Sequence, residues 1–108
     1  MPKFLTIGYG DEDGYNKTPV AILDRAHQTD DRLRDSGAIV GIAGEPVQVR
    51  NPARKGVETR SGSFMRSDLP VAGFALIEAN SIEQAVAQVA ETPCAVAYGV
   101  VEVWPLER

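Results

Sequence analysis

The sequence is poor in the residues that stabilise small folds by covalent or metal bonds. It has one cysteine, Cys94, and one histidine, His27. A single cysteine excludes an internal disulfide, and this pair cannot supply the ligands of a structural zinc site. No apolar run approaches membrane length, and the N-terminus lacks the regions of a secretory signal. We therefore expect a cytoplasmic protein that uses no metal and no cofactor and has no membrane partner.

Positive charge is also scarce. The chain has 11 Lys and Arg against 15 Asp and Glu, for a net charge of −4. Binding to phosphate backbones needs a positive surface, so this balance argues against nucleic acid as a partner. With 108 residues, the chain has room for one hydrophobic core, and we expect a single domain over residues 1–108.

Four segments have the pattern of β-strands. Val71–Ala79 is apolar at both odd and even positions, as expected of a strand that is covered on both faces. Lys3–Tyr9 is predicted as the first strand, Ala38–Ala43 as the second and Cys94–Trp104 as the last. On this prediction Cys94 begins a buried strand and belongs to the core.

Two helices are predicted between the strands. The first is capped by Thr18, has Pro19 in its first turn and ends at Ser36–Gly37. Its buried face is predicted at Ile22, Ala26, Thr29 and Leu33. The second begins at Ser81, with Gln84 completing a capping box, and ends before Pro93. Its buried stripe comprises Ile82, Ala85, Val86 and Val89.

Two polar segments interrupt this pattern. The glycine-containing segment Gly10–Gly14 carries three consecutive acids, which would repel phosphate, and it lacks the later ligands of a calcium loop, so we predict a solvated turn. Val47–Arg50 and Val57–Arg60 are predicted to form a two-stranded ribbon around a loop at 51–56. The ribbon region is locally basic, which is typical either of a solvated face or of the border of an anion site.

The predicted order is strand, helix, strand with ribbon, strand, helix, strand. This is the split βαβ order of the ferredoxin-like α+β fold, a four-stranded antiparallel sheet with both helices on one face. The helices would leave the other face apolar and bare. We expect a symmetric homodimer that packs sheet against sheet, with a small-molecule pocket between the two sheets.

Three stretches carry a resemblance to a known family. KFLTIGYGDED, DRAHQTDDRLRDSGAIVGIAGEP and SGSFMRSDLPVAGFALIEANSIEQAVAQVAETP together resemble the YCII-related family, in particular its branch named for a DGPF signature. The resemblance implies a dimeric α/β barrel with a His–Asp centre, carried here by His27 and Asp11. Some family members are similar to lactone isomerases or to dehalogenating enzymes. Ser61 and Ser63 stand where the signature has Asp and Pro, so the acid of the signature is absent from this chain.

The residues allow two hypotheses of function. In the first, a cofactor-free enzyme, His27 moves a proton, Asp11 orients it, and Arg60 or Arg66 holds a carboxylate of the substrate. Three acids that lie within helical reach of His27 could also orient its ring: Asp24, Asp30 and Asp31. The second hypothesis is a non-catalytic binding or regulatory module, in which His27 is a surface residue, Asp11 a turn residue, and Ser61 and Ser63 either stabilise a turn or bind an anion. An isomerase or lyase reaction is the chemistry expected in the first case.

Overall fold

The computed structural model describes residues 1–107, which form a four-stranded antiparallel sheet, a separate two-stranded sheet and four α-helices. Within these residues no helix is long and apolar enough to cross a membrane. The strands and helices follow one another in this order: β1 (Lys3–Tyr9), α1 (Glu12–Lys17), α2 (Val20–Asp35), β2 (Ile39–Ile42), β3 (Val47–Arg50), β4 (Glu58–Ser61), β5 (Val71–Glu78), α3 (Ile82–Val89), α4 (Pro93–Val96) and β6 (Val100–Pro105).

The main sheet has the strand order β2-β5-β1-β6. All of its pairs are antiparallel, and β1 lies in the middle between β5 and β6. This is the strand order of a ferredoxin-like α+β fold, so the predicted four-stranded antiparallel sheet is confirmed. The core forms where α3 packs on the helix-covered face of the sheet, with contacts among Phe4, Ala75, Ile77, Ala79, Ala85 and Val89.

The predicted last strand was wrong over its first half. Cys94 lies in the short helix α4, which begins at Pro93, and β6 begins only at Val100. A proline is well placed at the first position of a helix, where its missing N–H needs no partner. Tyr98 then takes a left-handed conformation with φ of 62°, which turns the chain into β6. Cys94 is half-buried and faces a cavity, so its assignment to a core strand was also wrong.

The acidic segment after β1 was predicted as a turn and is instead the start of a helix. Asp11 caps α1, since its carboxylate accepts a hydrogen bond of 3.0 Å from the N–H of Gly14. Thr18 was expected to cap the next helix, but its buried hydroxyl donates to the carbonyl of Gly14 at 2.7 Å. The N-cap of α2 is Pro19, which has no side-chain hydrogen bond to the helix.

The predicted helix faces are confirmed in part. Ala26, Thr29 and Leu33 of α2 are buried, as are Ala85 and Val89 of α3. The remaining predicted positions are exposed large side chains: Ile22, Ile82 and Val86. The observed starts and ends of the helices agree with the prediction better than the buried faces do. Ser81 caps α3 by accepting from the N–H of Gln84 at 3.1 Å, and Gly37 follows α2 with φ of 105°, a conformation that favours glycine.

The face of the sheet that points away from the helices is mainly apolar. We call this surface the open face; it comprises Leu5, Ile7, Ile39, Phe74, Leu76, Val100 and Trp104. The strand registers place these residues on one side, opposite the helix-facing set of Phe4, Thr6 and Ala75. Four of its side chains are exposed in the single chain: Ile39, Phe74, Val100 and Trp104.

The predicted ribbon is confirmed with a shift of one residue in its second strand. β3 and β4 pair antiparallel and form a sheet of their own. We call residues 47–61 the arm. The radius of gyration of the chain is 15.7 Å, against about 13 Å for a compact domain of this length. A separate sheet and a large radius fit an element that projects from the domain.

Candidate active site

A cavity of about 270 Å³ lies between the helix-covered face of the sheet and helices α2 and α4. Its floor is made of small side chains on neighbouring strands, Thr6 and Gly8 of β1 with Gly73 and Ala75 of β5. Larger residues at these positions would occupy this space. The cavity is therefore on the opposite side of the sheet from the open face, where the space between two subunits was predicted.

Cys94 forms part of the inner wall. Its thiol lies so close to β1 that a Cβ atom on Gly8 would stand 2.9 Å from the sulfur, so the glycine is needed for this contact. Burial raises the pKa of the Cys94 thiol, and the nearby Asp30 carboxylate adds to the effect. A raised pKa keeps the thiol protonated and makes it a poor nucleophile.

One face of α2 provides the polar side of the cavity. His27, Asp30, Asp31 and Arg34 all line the cavity, and the last three follow His27 by three, four and seven residues. This spacing brings side chains together on one side of a helix. Arg34 donates a hydrogen bond of 3.2 Å to Asp31, so its charge is partly neutralised. The polar side thus carries one imidazole, two carboxylates and one paired guanidinium.

The pKa of Asp30 is raised. Burial is the main cause, and the positive charges of Arg34 and His27 partly oppose it, while Asp31 adds to it. Asp30 is also the carboxylate that raises the pKa of Cys94, so the two groups lie near each other across the cavity. A carboxyl group whose pKa is moved upward, in a cleft beside the only histidine, is typical of a functional site.

Tyr15 of α1 completes the cluster. Its ring centroid is 6.5 Å from that of His27, and the two rings are tilted by 48°. Burial raises the pKa of the Tyr15 phenol, with further contributions from Cys94 and Asp30. The phenol therefore remains a hydrogen-bond donor at neutral pH. Acid, base and donor groups face one cavity, which is what proton transfer to a bound molecule requires.

Of the residues predicted to act together, only His27 lines the cavity. His27 lines the cavity, whereas Asp11 caps α1 and is absent from the lining. Arg60 and Ser61 belong to β4 of the arm, and Ser63 and Arg66 follow it, all exposed and none lining the cavity of their own chain. Their predicted role with an anionic ligand stays a prediction.

Sequence reasoning missed Tyr15 and Cys94 as parts of the site. Cys94 was assigned to a strand, and the signal for α4 was Pro93 at a helix start together with the Tyr98–Gly99 break. Tyr15 was not recognised as a site residue because the start of its helix, α1, was predicted as a turn. Asp30 was recognised as a neighbour of His27, but its spacing alone could not distinguish it from Asp24, which is exposed and does not line the cavity.

A second group of titratable side chains lies on the open-face side of the sheet. The hydroxyl of Tyr9 donates a hydrogen bond of 2.6 Å to Glu102, and the sulfur of Met65 lies 3.7 Å from the same hydroxyl. The hydrogen bond to Glu102 is the first cause of a raised pKa of Tyr9, followed by burial. The contact with Met65 anchors the segment after the arm to the main sheet.

A wider groove, lined by residues of α2, α3 and strands β1, β2 and β5, differs in chemistry. It is lined by four exposed charged residues, Lys3, Arg32, Glu78 and Glu91, and by no histidine, tyrosine or cysteine. Within residues 1–107, no three His, Cys, Asp or Glu side chains come together as metal ligands.

No family model matches the sequence, and no curated protein matches it significantly.

Proposed function

We propose that this protein binds a small organic molecule in the cavity and catalyses a proton transfer on it without a cofactor. The observation that carries the proposal is the convergence of His27, Asp30 and Tyr15 on one cavity with a small-residue floor. Isomerisation, elimination and lactone rearrangement are reactions that proton transfer alone can drive. Membership of the YCII-related family is part of this proposal, because some members of that family resemble lactone isomerases.

We assign the roles by chemistry. His27 is the general acid and base, because an imidazole ring can both accept and donate a proton. Asp30 is its partner in place of Asp11, since Asp30 lines the same cavity three residues further along α2. Tyr15, with a raised pKa, donates a hydrogen bond to the oxygen on which negative charge develops.

The lining also indicates the class of ligand. The floor is formed by Gly and Ala backbone and small side chains, and the polar groups are confined to one side. Two carboxylates face a single guanidinium that is already paired, which disfavours an anion within one chain. A mainly apolar ring compound with a hydroxyl or carbonyl group therefore fits best.

The test uses His27→Ala and Asp30→Asn, each titrated by NMR with a panel of small lactones and cyclic ketones and assayed for turnover. Both variants should still bind, because the floor of the cavity is unchanged, and both should lose at least about a hundredfold in turnover, as expected for a general acid–base group. Asp11→Asn is the matched control. Asparagine is also a good N-cap, so this variant should retain activity.

Loss of activity in Asp11→Asn with full activity in Asp30→Asn would instead support the pair implied by the family resemblance. If wild type turns over none of the panel and both variants bind like wild type, the second candidate function is favoured, a non-catalytic small-molecule-binding module. That alternative has its own support: His27 is exposed, and within residues 1–107 no ion pair joins its ring to a carboxylate.

We propose further that the protein is a homodimer in which two open faces pack against each other. Trp104 and Ile39, near opposite edges of the sheet, are 52% and 70% exposed in the single chain. A surface of this kind is typical of an association site. The same side of the sheet carries the Tyr9–Glu102 pair, which provides a polar group within a mainly apolar interface.

A further inference from the structure

The arm has its apolar side on the outside. In the register of β3 and β4, Val47 faces Ser61 and Val49 faces Thr59, so one side of the arm is uncharged. The other side carries Gln48, Arg50, Glu58 and Arg60. Val47 and Val49 are 61% and 66% exposed, whereas Gln48 and Arg50 are half-buried. A strand pair in water normally turns its charged side to the solvent.

The polar side is held by the segment that follows β4. The side-chain amide of Gln48 donates to the carbonyl of Gly62 at 3.1 Å and accepts from Arg50 at 3.0 Å. The guanidinium of Arg50 lies 5.7 Å from the centre of the Phe64 ring. These contacts fix which side of the arm faces its own chain. The valine side is left without cover in the single chain.

A two-stranded ribbon of this size is at best marginally stable in isolation. Each of its strands has only four residues. The arm is therefore stabilised when its valine side is buried against another surface. Since Gln48 and Arg50 of the polar side already contact the segment that follows β4 in their own chain, we assign that surface to another molecule.

Charge indicates which molecule that is. The arm holds four of the 11 basic residues of the chain and one of the 15 acids. The remainder of the chain therefore has seven basic and fourteen acidic residues, so the arm and the remainder carry opposite net charges. A second copy of the chain therefore brings a main domain of net negative charge to an arm whose exposed loop carries Arg54 and Lys55, and the two arms of a symmetric pair can each contact the other subunit.

We propose that the arm of one subunit docks, valine side down, on the main domain of a second copy of this chain. The inference rests on the proposed homodimer and adds a separate contact to it. The segment after the arm contacts the open-face side of the main sheet where Met65 lies against Tyr9, so the arm ends four residues before a contact on the face where the dimer is proposed to pack.

Carbodiimide coupling of an equal mixture of isotope-labelled and unlabelled protein tests the contact directly. Lys55 is the only lysine of the arm, and this reagent joins lysines to carboxylates that they already touch. We expect mixed-isotope peptides that link Lys55 to acids of the main domain, and we expect high salt to reduce their yield. Links confined to peptides of one isotope would overturn the proposal.

Val49→Asp gives an independent measurement. It places a charge on the side that is buried in the pair, so the Kd of the dimer should rise by at least about tenfold. Val20→Asp is the matched control, because Val20 is 71% exposed and belongs to the first turn of α2, outside the arm. A Kd of Val49→Asp equal to that of the control would count against the arm contact.

Wild type that sediments as a monomer would overturn both the proposed homodimer and the proposed arm contact. A dimer without mixed Lys55 links would overturn the arm contact alone.

Discussion

At the scale of single residues, the site depends on small side chains as much as on reactive ones. The cavity exists because Gly8, Gly73 and Ala75 leave space above two neighbouring strands. His27 could be selected from the sequence because it is the only histidine. Tyr15 and Cys94 could not, since nothing in the spacing of residues that are 12 and 67 positions away from His27 indicates a shared cavity. Such contacts are fixed by tertiary packing.

Asp30 gives a prediction of pH dependence. Burial raises its pKa in the folded protein above the ordinary value of 3.8. The native state then binds the proton more tightly than the unfolded state, so Asp30 contributes stability at low pH that is lost as the pH rises through the raised pKa. An asparagine side chain is uncharged at every pH and avoids this loss. Asp30→Asn should therefore unfold at higher urea concentration than wild type at about pH 7, and the difference should shrink towards about pH 3.

The control for this measurement is Asp24→Asn, an exposed position on the same helix that does not line the cavity. It should show no comparable change between the two pH values. An equal stability difference for Asp30→Asn at both pH values would show that burial of the charge is not the cause.

At the scale of secondary structure, regular patterns were predicted well and short helices were not. β1 was predicted with its observed bounds, and α2, α3 and the ribbon within a few residues. α1 was missed because its six residues include Gly14, which is unfavourable in a helix and is more typical of an acidic turn. α4 was missed because the run from Cys94 to Trp104 is largely apolar at both its odd and its even positions. Such a run does not distinguish a strand from a buried helical turn.

The cap of α1 is a testable part of this correction. Asp11→Ala removes the acceptor for the N–H of Gly14, so the free energy of unfolding should fall by about 1 kcal/mol. Asp11→Asn should stay within a few tenths of wild type, because asparagine caps helices as well as aspartate. Urea denaturation at neutral pH compares the three proteins. An alanine variant as stable as wild type would show that this cap contributes little to the fold.

At the scale of the whole molecule, the two faces of the sheet differ in the surface features that they carry. The helix-covered face holds the cavity, with Asp30 and Cys94 facing it. The open face holds the exposed apolar residues. The sequence predicted this division because Val71–Ala79 is apolar on both sides and one helical layer covers only one of them. It placed the ligand pocket on the open face, between two subunits, whereas the cavity of the single chain lies on the helix-covered face, because its position depends on the small residues of β1 and β5 coming together.

The proposed pairing of open faces leads to the last prediction. Trp104 is a large aromatic side chain on β6 that is 52% exposed, and buried aromatic residues often dominate the binding energy of an interface. Trp104→Glu should therefore raise the Kd of the dimer by about thirtyfold or more, as measured by sedimentation velocity. The fold should be retained, because the side chain is outside the core cluster. Far-UV circular dichroism checks this, and Val20→Glu on the helix-covered side serves as the control.

Because the cavity lies on the opposite side of the sheet, the monomeric Trp104→Glu variant should still bind small ligands. Loss of ligand binding on dissociation would instead place the binding site between the two subunits.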